Sequence, residues 1–327
     1  MLRRRHGRYS RAPVTRQKTL PFDADGLAEA AAHILAGEPV AVPTETVYGL
    51  AADATNPRAV ARIYEVKGRP SFNPLIVHVD SLAAAERLAA FSAEARMLAE
   101  HFWPGPLTLV LPRREDAGLA PAVSAGLATI GVRVPSHPAM LALLRAVGRP
   151  LAAPSANASG SISPTTAGHV LASLRARAPL ILDAGATERG VESTIVAVGP
   201  DGVRVLRPGP VTVEQVESVA RVTTASAAGR IEAPGMMASH YAPSKPLRLN
   251  AIRAGPDEWL IGFGPVGGDE SLSAGGALAE AAANLFAALH RAEASERAAI
   301  AVAPVPEEGL GVAINDRLRR AAAPQAT

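Results

Sequence analysis

Apolar residues fall along this chain in two rhythms. Where they recur every three or four positions a helix is predicted, and where they alternate or run unbroken for a few positions a strand is predicted. Val60, Ile63 and Tyr64 form the inner stripe of a helix that opens at Asn56-Pro57 and stops at Gly68. Asn caps such a start, Pro fits the first helical position, and Gly takes the left-handed exit. Further helices are predicted over 24–36 behind Asp23 or Asp25, over 93–102, over 138–147, and from Ser163-Pro164-Thr165-Thr166 onward. Another opens at Thr212-Val213-Glu214-Gln215, which has the form of a capping box. Strands are predicted at Pro39–Val42, Leu75–Val79, Leu107–Leu111, Ala128–Val134, Leu151–Ala153, Leu180–Asp183, Ser193–Val198 and Val203–Leu206. Thr44–Gly49 reads as a loop, and Trp103-Pro104-Gly105-Pro106 as a turn.

Alternation of the two element types indicates an α/β chain. The pattern lapses over about 222–247, a stretch rich in Ala, Gly, Ser, Pro and Met that reads as a linker. Beyond it, strands at Leu247–Leu249, Trp259–Phe263 and Ala299–Ala303 with a helix near 276–291 make a second, smaller α/β unit. The expected division is a basic, disordered arm over 1–20, a large domain over 21–222, a linker over 223–246 and a small domain over 247–327. Gly262-Phe263-Gly264-Pro265-Val266-Gly267 matches G-x-G-x-x-G in form, but Pro265 and Gly268-Asp269-Glu270 delay any helix. A pyrophosphate there would lack the helix N-terminus it needs.

Composition removes whole classes of chemistry. The chain has no cysteine, which excludes disulfides, thiolate nucleophiles and Cys-ligated metals. Its eight histidines are scattered, with no H-x-x-x-H, so no protein-built metal site is expected. No Gly-Lys pair occurs, hence no G-x-x-x-x-G-K-[ST] phosphate loop, and no G-x-S-x-G elbow occurs either. No apolar run approaches the ~20 residues of a membrane span, and no apolar segment backs the basic N-terminus, so a cytoplasmic protein is expected. Net charge is only +3, yet Arg3, Arg4, Arg5, Arg8, Arg11, Arg16 and Lys18 crowd the first 18 residues without an acid. Such an arm either touches RNA weakly or is an unstructured leader.

The strongest local chemistry lies in Lys67-Gly68-Arg69-Pro70-Ser71-Phe72-Asn73-Pro74-Leu75-Ile76-Val77. Lys67 and Arg69 read either as surface cations at a helix C-terminus or, stiffened by the two prolines, as a compact charge and a planar fork for a triphosphate. Ser155 and Asn157 follow a short strand and can bond a phosphate or an amino-acid carboxylate, or form a polar turn. Thr129, Gly131 and Arg133 share one face of their strand, which makes it a cleft wall or calls for a buried ion pair at Arg133.

Together these segments resemble the YrdC/Sua family. The resemblance runs in order through Pro43-Thr44-Glu45-Thr46-Val47-Tyr48-Gly49-Leu50, Lys67–His78, Trp103–Thr108, Val132-Arg133-Val134-Pro135 and Ala153-Pro154-Ser155-Ala156-Asn157. It continues through Ser163-Pro164-Thr165, Glu192-Ser193-Thr194-Ile195 and Leu206-Arg207-Pro208-Gly209, covering about 24–220. Ala233-Pro234-Gly235-Met236, Ser239-His240-Tyr241-Ala242-Pro243 and the tail Gly309–Arg320 resemble the linker and second domain of the long Sua branch.

The resemblance implies an open, twisted, mixed α/β sheet (the YrdC-like fold) with a concave polar face and a small Rossmann-like C-terminal domain. It implies threonylcarbamoyl-AMP synthesis from L-threonine, bicarbonate or CO2, and ATP, with pyrophosphate released. The nucleotidyl transfer needs no enzyme nucleophile, with Mg²⁺ held through the phosphates. A partner transferase would pass the product to tRNA adenosine. By the same resemblance Thr46, His78, Arg133, Ser155 and Ser193 hold threonine. Lys67, Arg69, Asn73, Thr129, Asn157, Ser163 and Arg207 hold ATP, the first two at the phosphates, and Tyr241 in the linker closes over the nucleotide. The competing reading is a module that binds double-stranded RNA, tRNA or the ribosome without turnover.

Overall fold

The structure, a computed structural model, describes residues 18–200, 202–223 and 241–323. The expected arm up to residue 17 and the linker over 224–240 lie outside the described residues. Ten strands build the first sheet: β1 (Thr19–Pro21), β2 (Val40–Pro43), β3 (Tyr48–Asp53), β4 (Ile76–His78), β5 (Leu107–Pro112), β6 (Thr129–Arg133), β7 (Leu151–Ala152), β8 (Leu180–Asp183), β9 (Thr194–Gly199) and β10 (Gly202–Arg207). Around them lie α1 (Ala24–Leu35), α2 (Pro57–Lys67), α3 (Leu82–Glu86), α4 (Ala93–Phe102), α5 (Pro121–Ser124), α6 (Pro138–Val147), α7 (Ala167–Leu174) and α8 (Val213–Glu217). The second unit has strands β11 (Leu247–Arg248), β12 (Glu258–Gly262), β13 (Glu270–Ser271) and β14 (Ala299–Val302), with helices α9 (Leu278–Ala294) and α10 (Leu310–Ala322).

The large sheet runs β1-β8-β2-β3-β7-β4-β6-β5-β9-β10. It is mixed: β4 and β6 are parallel, as are β5 and β9, while β3 runs antiparallel to both β2 and β7. The small sheet, β11-β14-β12-β13, is parallel throughout. Among the described residues no helix is long and apolar enough to cross a membrane.

Local chemistry sets most helix ends. Asn56 caps α2 through its side chain, Gly68 closes it in the left-handed conformation at φ 61°, and Thr212 and Gln215 complete both halves of the capping box before α8. After β12, Phe263 N–H bonds Val266 O, and no helix begins until Leu278, so the G-x-G-x-x-G segment is a tight turn.

Two parts of the first sheet depart from the sequence expectation. Thr19–Pro21, assigned to the arm and its boundary, adds to the edge of β8 as a parallel strand. Tyr48 and Gly49, read as loop, begin β3, which is buried at every position. The run Tyr-Gly-Leu-Ala-Ala-Asp has little β propensity, so neighbours on both sides impose the strand. Glycine suits position 49, because a Cβ there would already sit 3.3 Å from that of Ala153.

The main core packs Leu50, Ile63, Leu75, Leu107 and Leu109 beneath the sheet, and a separate cluster around Ile34, Met140 and Leu143 fills beneath α1 and α6. The core of the second unit is shared. Val47, Ile162, Val191 and Tyr241 pack with Leu285, Phe286 and Ile314. The small unit therefore closes its core on loops of the large one, next to the predicted site.

Candidate functional site

A recess of about 50 Å³ opens over the sheet. The β2–β3 turn contributes Thr44, Thr46 and Val47, the loop after α2 contributes Arg69, and β4 and β6 contribute His78 and Arg133 at their ends. Ser155 follows β7, Glu192 and Ser193 precede β9, Arg207 ends β10, and Tyr241 closes the list. Three guanidinium groups thus share one small space.

Its threonine-side candidates are rigidly held. Thr44 Oγ1 accepts from the N–H groups of Thr46 and Val47 at 3.2 Å and donates to Val47 O at 2.7 Å, which locks the turn. Parallel register sets His78 beside Arg133. Arg133 donates from Nε to Gly105 O at 3.1 Å and from Nη1 to Thr46 Oγ1 at 3.2 Å. Its Nη2 lies 2.6 Å from Glu45, both side chains only 4 % exposed. This is the buried ion pair that a strand arginine calls for. Burial would raise the Glu45 carboxyl, but the charge of Arg133 together with hydrogen bonds from Arg133 and from the Glu45 and Ser136 backbone outweighs it and holds the group below its ordinary value. Nη2 and Glu45 meet by charge at close range and not along an ideal hydrogen-bond direction.

On the other side Arg207 donates from Nε and Nη2 to Ser193 O at 3.1 and 2.8 Å, and the Ser193 hydroxyl lies 2.8 Å from that of Thr108. Arg69 is anchored at Asn73 O, 3.3 Å, and Pro74 O, 3.0 Å. Burial lowers its pKa to about 10, which leaves it charged at neutral pH.

Five predicted residues lie outside this lining. Lys67 is buried behind it, with Nζ donating to Ser155 O and Asn157 O at 2.6 Å each. The expected phosphate lysine thus holds the Ser155–Asn157 loop in this conformation. Burial, and then Arg69, pull its pKa well down, while two short bonds to carbonyl oxygens and a third contact with Asn157 Oδ1 at 3.4 Å favour the ammonium form. Asn157 bonds Ser161 O at 2.7 Å, Asn73 carries Arg69, and the Ser163 hydroxyl donates to Glu192. Thr129 starts β6, four positions from Arg133, or ~13 Å along a strand. Strand direction explains how residues before one strand meet residues after others. Glu192 and Ser193 stand before the amino end of β9, beside the carboxyl ends of β4, β6 and β10.

Sequence reasoning did not single out Glu45, Glu192 or Arg317. The two glutamates lay inside quoted motifs without a role. Arg317, on α10, bonds Glu192 at 3.0 Å; its signal was a charged residue at a core position of an amphipathic helix.

Burial, with Arg133 beside it, drives the His78 pKa to about 3, and burial, with His290 and Arg291 beside it, takes His169 to about 4, both from 6.5. Both folded values are depressed, so unfolding takes up protons once pH falls below about 6.5. Stability contributed above that value is lost as pH drops toward 4 and then 3. The thermal midpoint should fall across this window, and His78→Asn should flatten its slope. An unchanged slope would remove His78 from the account.

A second cavity, of about 240 Å³, is lined by Asp80, Arg87, Arg145 and Arg149 among others and gathers none of the predicted residues.

A family profile described as telomere recombination (Sua5/YciO/YrdC) matches residues 32–209, and one described as threonylcarbamoyl-AMP synthase, C-terminal domain, matches 211–323. The threonylcarbamoyl-AMP synthase of Bacillus subtilis is 42 % identical over 321 residues, 90 % of this chain and 92 % of that protein. That of Pyrococcus abyssi is 41 % identical over 316 residues, 89 % of this chain and 92 % of that protein. A crystal structure of P. abyssi Sua5 complexed with L-threonine superposes with a TM-score of 0.85 at 39 % identity, covering 94 % of this chain and 98 % of that one.

Proposed function

The chain belongs to the Sua5/YciO/YrdC family in its two-domain form and carries out threonylcarbamoyl-AMP synthesis, and on that premise we propose that its recess brings L-threonine and ATP together. The observation that carries this reading is one small space bounded by Thr46, His78 and Arg133 on one side and by Arg69 and Arg207 on the other. The Arg133 guanidinium, which lines the recess beside Thr46, suits an amino-acid carboxylate, with Ser155 and Ser193 alongside. Arg69 and Arg207 suit phosphate oxygens, with Lys67, Asn73 and Asn157 shaping the loop behind them. Ser163 acts through Glu192, Thr129 reaches toward the far end of the nucleotide, and Tyr241 closes the site. The space of about 50 Å³ holds a few waters, so a nucleotide enters only as side chains at its rim move aside.

The threonine amine forms an N–C bond to CO2 and sheds a proton, giving a carbamate; bicarbonate reaches the same point by losing water. A carbamate oxygen then bonds the α-phosphorus as the bond to the β-phosphoryl oxygen breaks, and pyrophosphate leaves. The protein orients the reactants and stabilises charge on the phosphates, as a nucleotidyltransferase without a covalent intermediate. No group of three or more His, Asp or Glu among the described residues suits a metal ion. Glu192, the recess carboxylate, is engaged by Ser163 and Arg317, so Mg²⁺ would arrive on the phosphates and neutralise charge there. The mixed anhydride formed is labile in water, which calls for direct hand-over to a tRNA-modifying transferase in the cytoplasm. Residues up to 222, with the expected boundary at 21 moved back to include strand β1 from Thr19, are the catalytic domain in this scheme, 223–246 the linker and 247–327 the C-terminal domain.

Pyrophosphate release should require ATP, threonine and bicarbonate together. Release without threonine, or RNA binding without turnover, would overturn the reading. Arg69→Ala should lower kcat/KM for ATP ~100-fold, the scale of losing one donor to developing charge; near-normal turnover would remove Arg69 from the phosphates.

A further inference from the structure

Helix α10 buries Gly311, Ile314, Leu318 and Ala321, and Arg317 falls within that stripe. Its side chain is 0 % exposed. A guanidinium taken wholly out of water needs its charge and its N–H groups answered close by. Arg317 finds most of these answers in the other domain. Nε donates to Glu192 Oε2 at 3.0 Å, Nη2 to the Glu192 carbonyl at 3.3 Å, and Nη1 to the Pro208 carbonyl at 2.8 Å. Its own neighbour Asp316 adds a carboxylate at 2.8 Å. The guanidinium carbon also lies 5.4 Å from the centre of the Tyr241 ring, within range of a cation–π contact.

Each partner outside α10 belongs to the recess or adjoins it. Glu192 and Tyr241 line it, and Pro208 follows the lining residue Arg207. The other Glu192 oxygen accepts from Ser163. Yet no described residue after Tyr241 lines the recess. Glu192 is also the one carboxylate in a lining otherwise rich in arginine. Unpaired, it would repel a polyphosphate.

We propose that Arg317 is a positioning residue for the adenylation step: from the C-terminal domain it neutralises Glu192 and fixes the Glu192–Tyr241 side of the recess, and so makes that side acceptable to ATP. The inference rests on the assignment of the recess to threonine and ATP. Arg317 makes no bond to the side chains of Thr46, His78, Arg133, Ser155 or Ser193, so it reaches the threonine side only through the Glu192–Ser193 peptide.

The test uses the full-length chain, with pyrophosphate release to obtain KM for ATP and calorimetric titration of L-threonine. Arg317→Met should raise KM for ATP at least tenfold and leave threonine affinity within twofold. Arg317→Lys, which keeps a charge opposite Glu192, should recover part of the loss. Arg317→Met with Glu192→Gln should recover most of it, because the repelling carboxylate is gone; a purely structural role would weaken threonine binding and lower kcat together with the loss in KM for ATP. An unchanged KM for ATP in Arg317→Met overturns the proposal, and so does a double variant as poor as the single. Should Arg317→Met fail to fold, Arg317→Lys and the double variant decide by the same KM criterion. Absence of turnover in the unmodified protein would instead count against the assignment of the recess itself.

Discussion

Arg133→Met is expected to abolish useful threonine binding and to destabilise the fold at the same time. The guanidinium is buried against Glu45 at 2.6 Å and bonds Gly105 O and Thr46. Its loss leaves the Glu45 carboxylate buried with its charge unanswered, which costs about 3–5 kcal/mol when one partner of a buried pair is removed. On the proposed assignment the carboxylate of threonine loses its charged partner too, worth about 3 kcal/mol, or ~100-fold in affinity. The two effects separate by chemistry. Without Arg133, burial is the largest influence on Glu45 and is opposed only by the Glu45 and Ser136 backbone N–H groups, so the pKa should rise above the unfolded value, with the deficit full at neutral pH and shrinking as acid protonates the group. Adding Glu45→Gln should restore most of the melting temperature and none of the threonine affinity. Threonine titrating normally into Arg133→Met would place the amino acid elsewhere.

Gly190→Ala is expected to be the most damaging single-methyl change on the surface where the two units meet. A Cβ at Gly190 would lie 2.2 Å from Ala282 O and 2.4 Å from Ala283 O, both backbone atoms of α9, and φ there is +69°. Backbone cannot swing aside as a long side chain can, so α9 must move. Movement breaks the contacts beside it: the His169–His290 stack at 3.9 Å, the His290–Ser163 O contact at 3.1 Å and the Tyr241–Phe286 packing at 5.6 Å. The clash and the left-handed strain together should cost ~3 kcal/mol or more. Gly118→Ala is the control. Its φ is +64° but nothing lies within 4 Å of the added carbon, so it carries strain alone, about 1–2 kcal/mol. Calorimetry should show an earlier, less cooperative transition for Gly190→Ala, with pyrophosphate release reduced at least tenfold. Equal behaviour of the two variants would mean that the close approach of α9 does not govern assembly.

How much of this was legible depends on how far each signal travels along the chain. Capping at Asn56, the exit at Gly68 and the capping box at Thr212 are settled within a few residues, and the structure has each as read. Alternation along Thr129–Arg133 announced an arginine that would need a buried partner or a cleft. It could not identify the partner, because Glu45 is distant in sequence and meets Arg133 only through the β2–β3 turn. Lys67 shows the same limit. Its position at the end of α2 was clear, but whether it faced phosphate or carbonyl oxygens depended on where the chain near Ser155 came to lie. β1 and β3 were missed because their strands are imposed by neighbouring strands, against weak local preference.

What the amino-acid order determined unaided is the α/β alternation, the ends of the capped helices, the exclusion of cysteine chemistry and the position of Lys67 and Arg69 around a helix end; helices α3, α5 and α10 were not read from it. What folding alone decided is which cations reach the recess, which are spent on the backbone behind it, and that a helix from the far end of the chain delivers Arg317 to Glu192. The physical reason is that capping and periodicity are short-range properties of the backbone. The pairing of buried charges is chosen by long-range packing, where each guanidinium must find an acceptor once water has been removed.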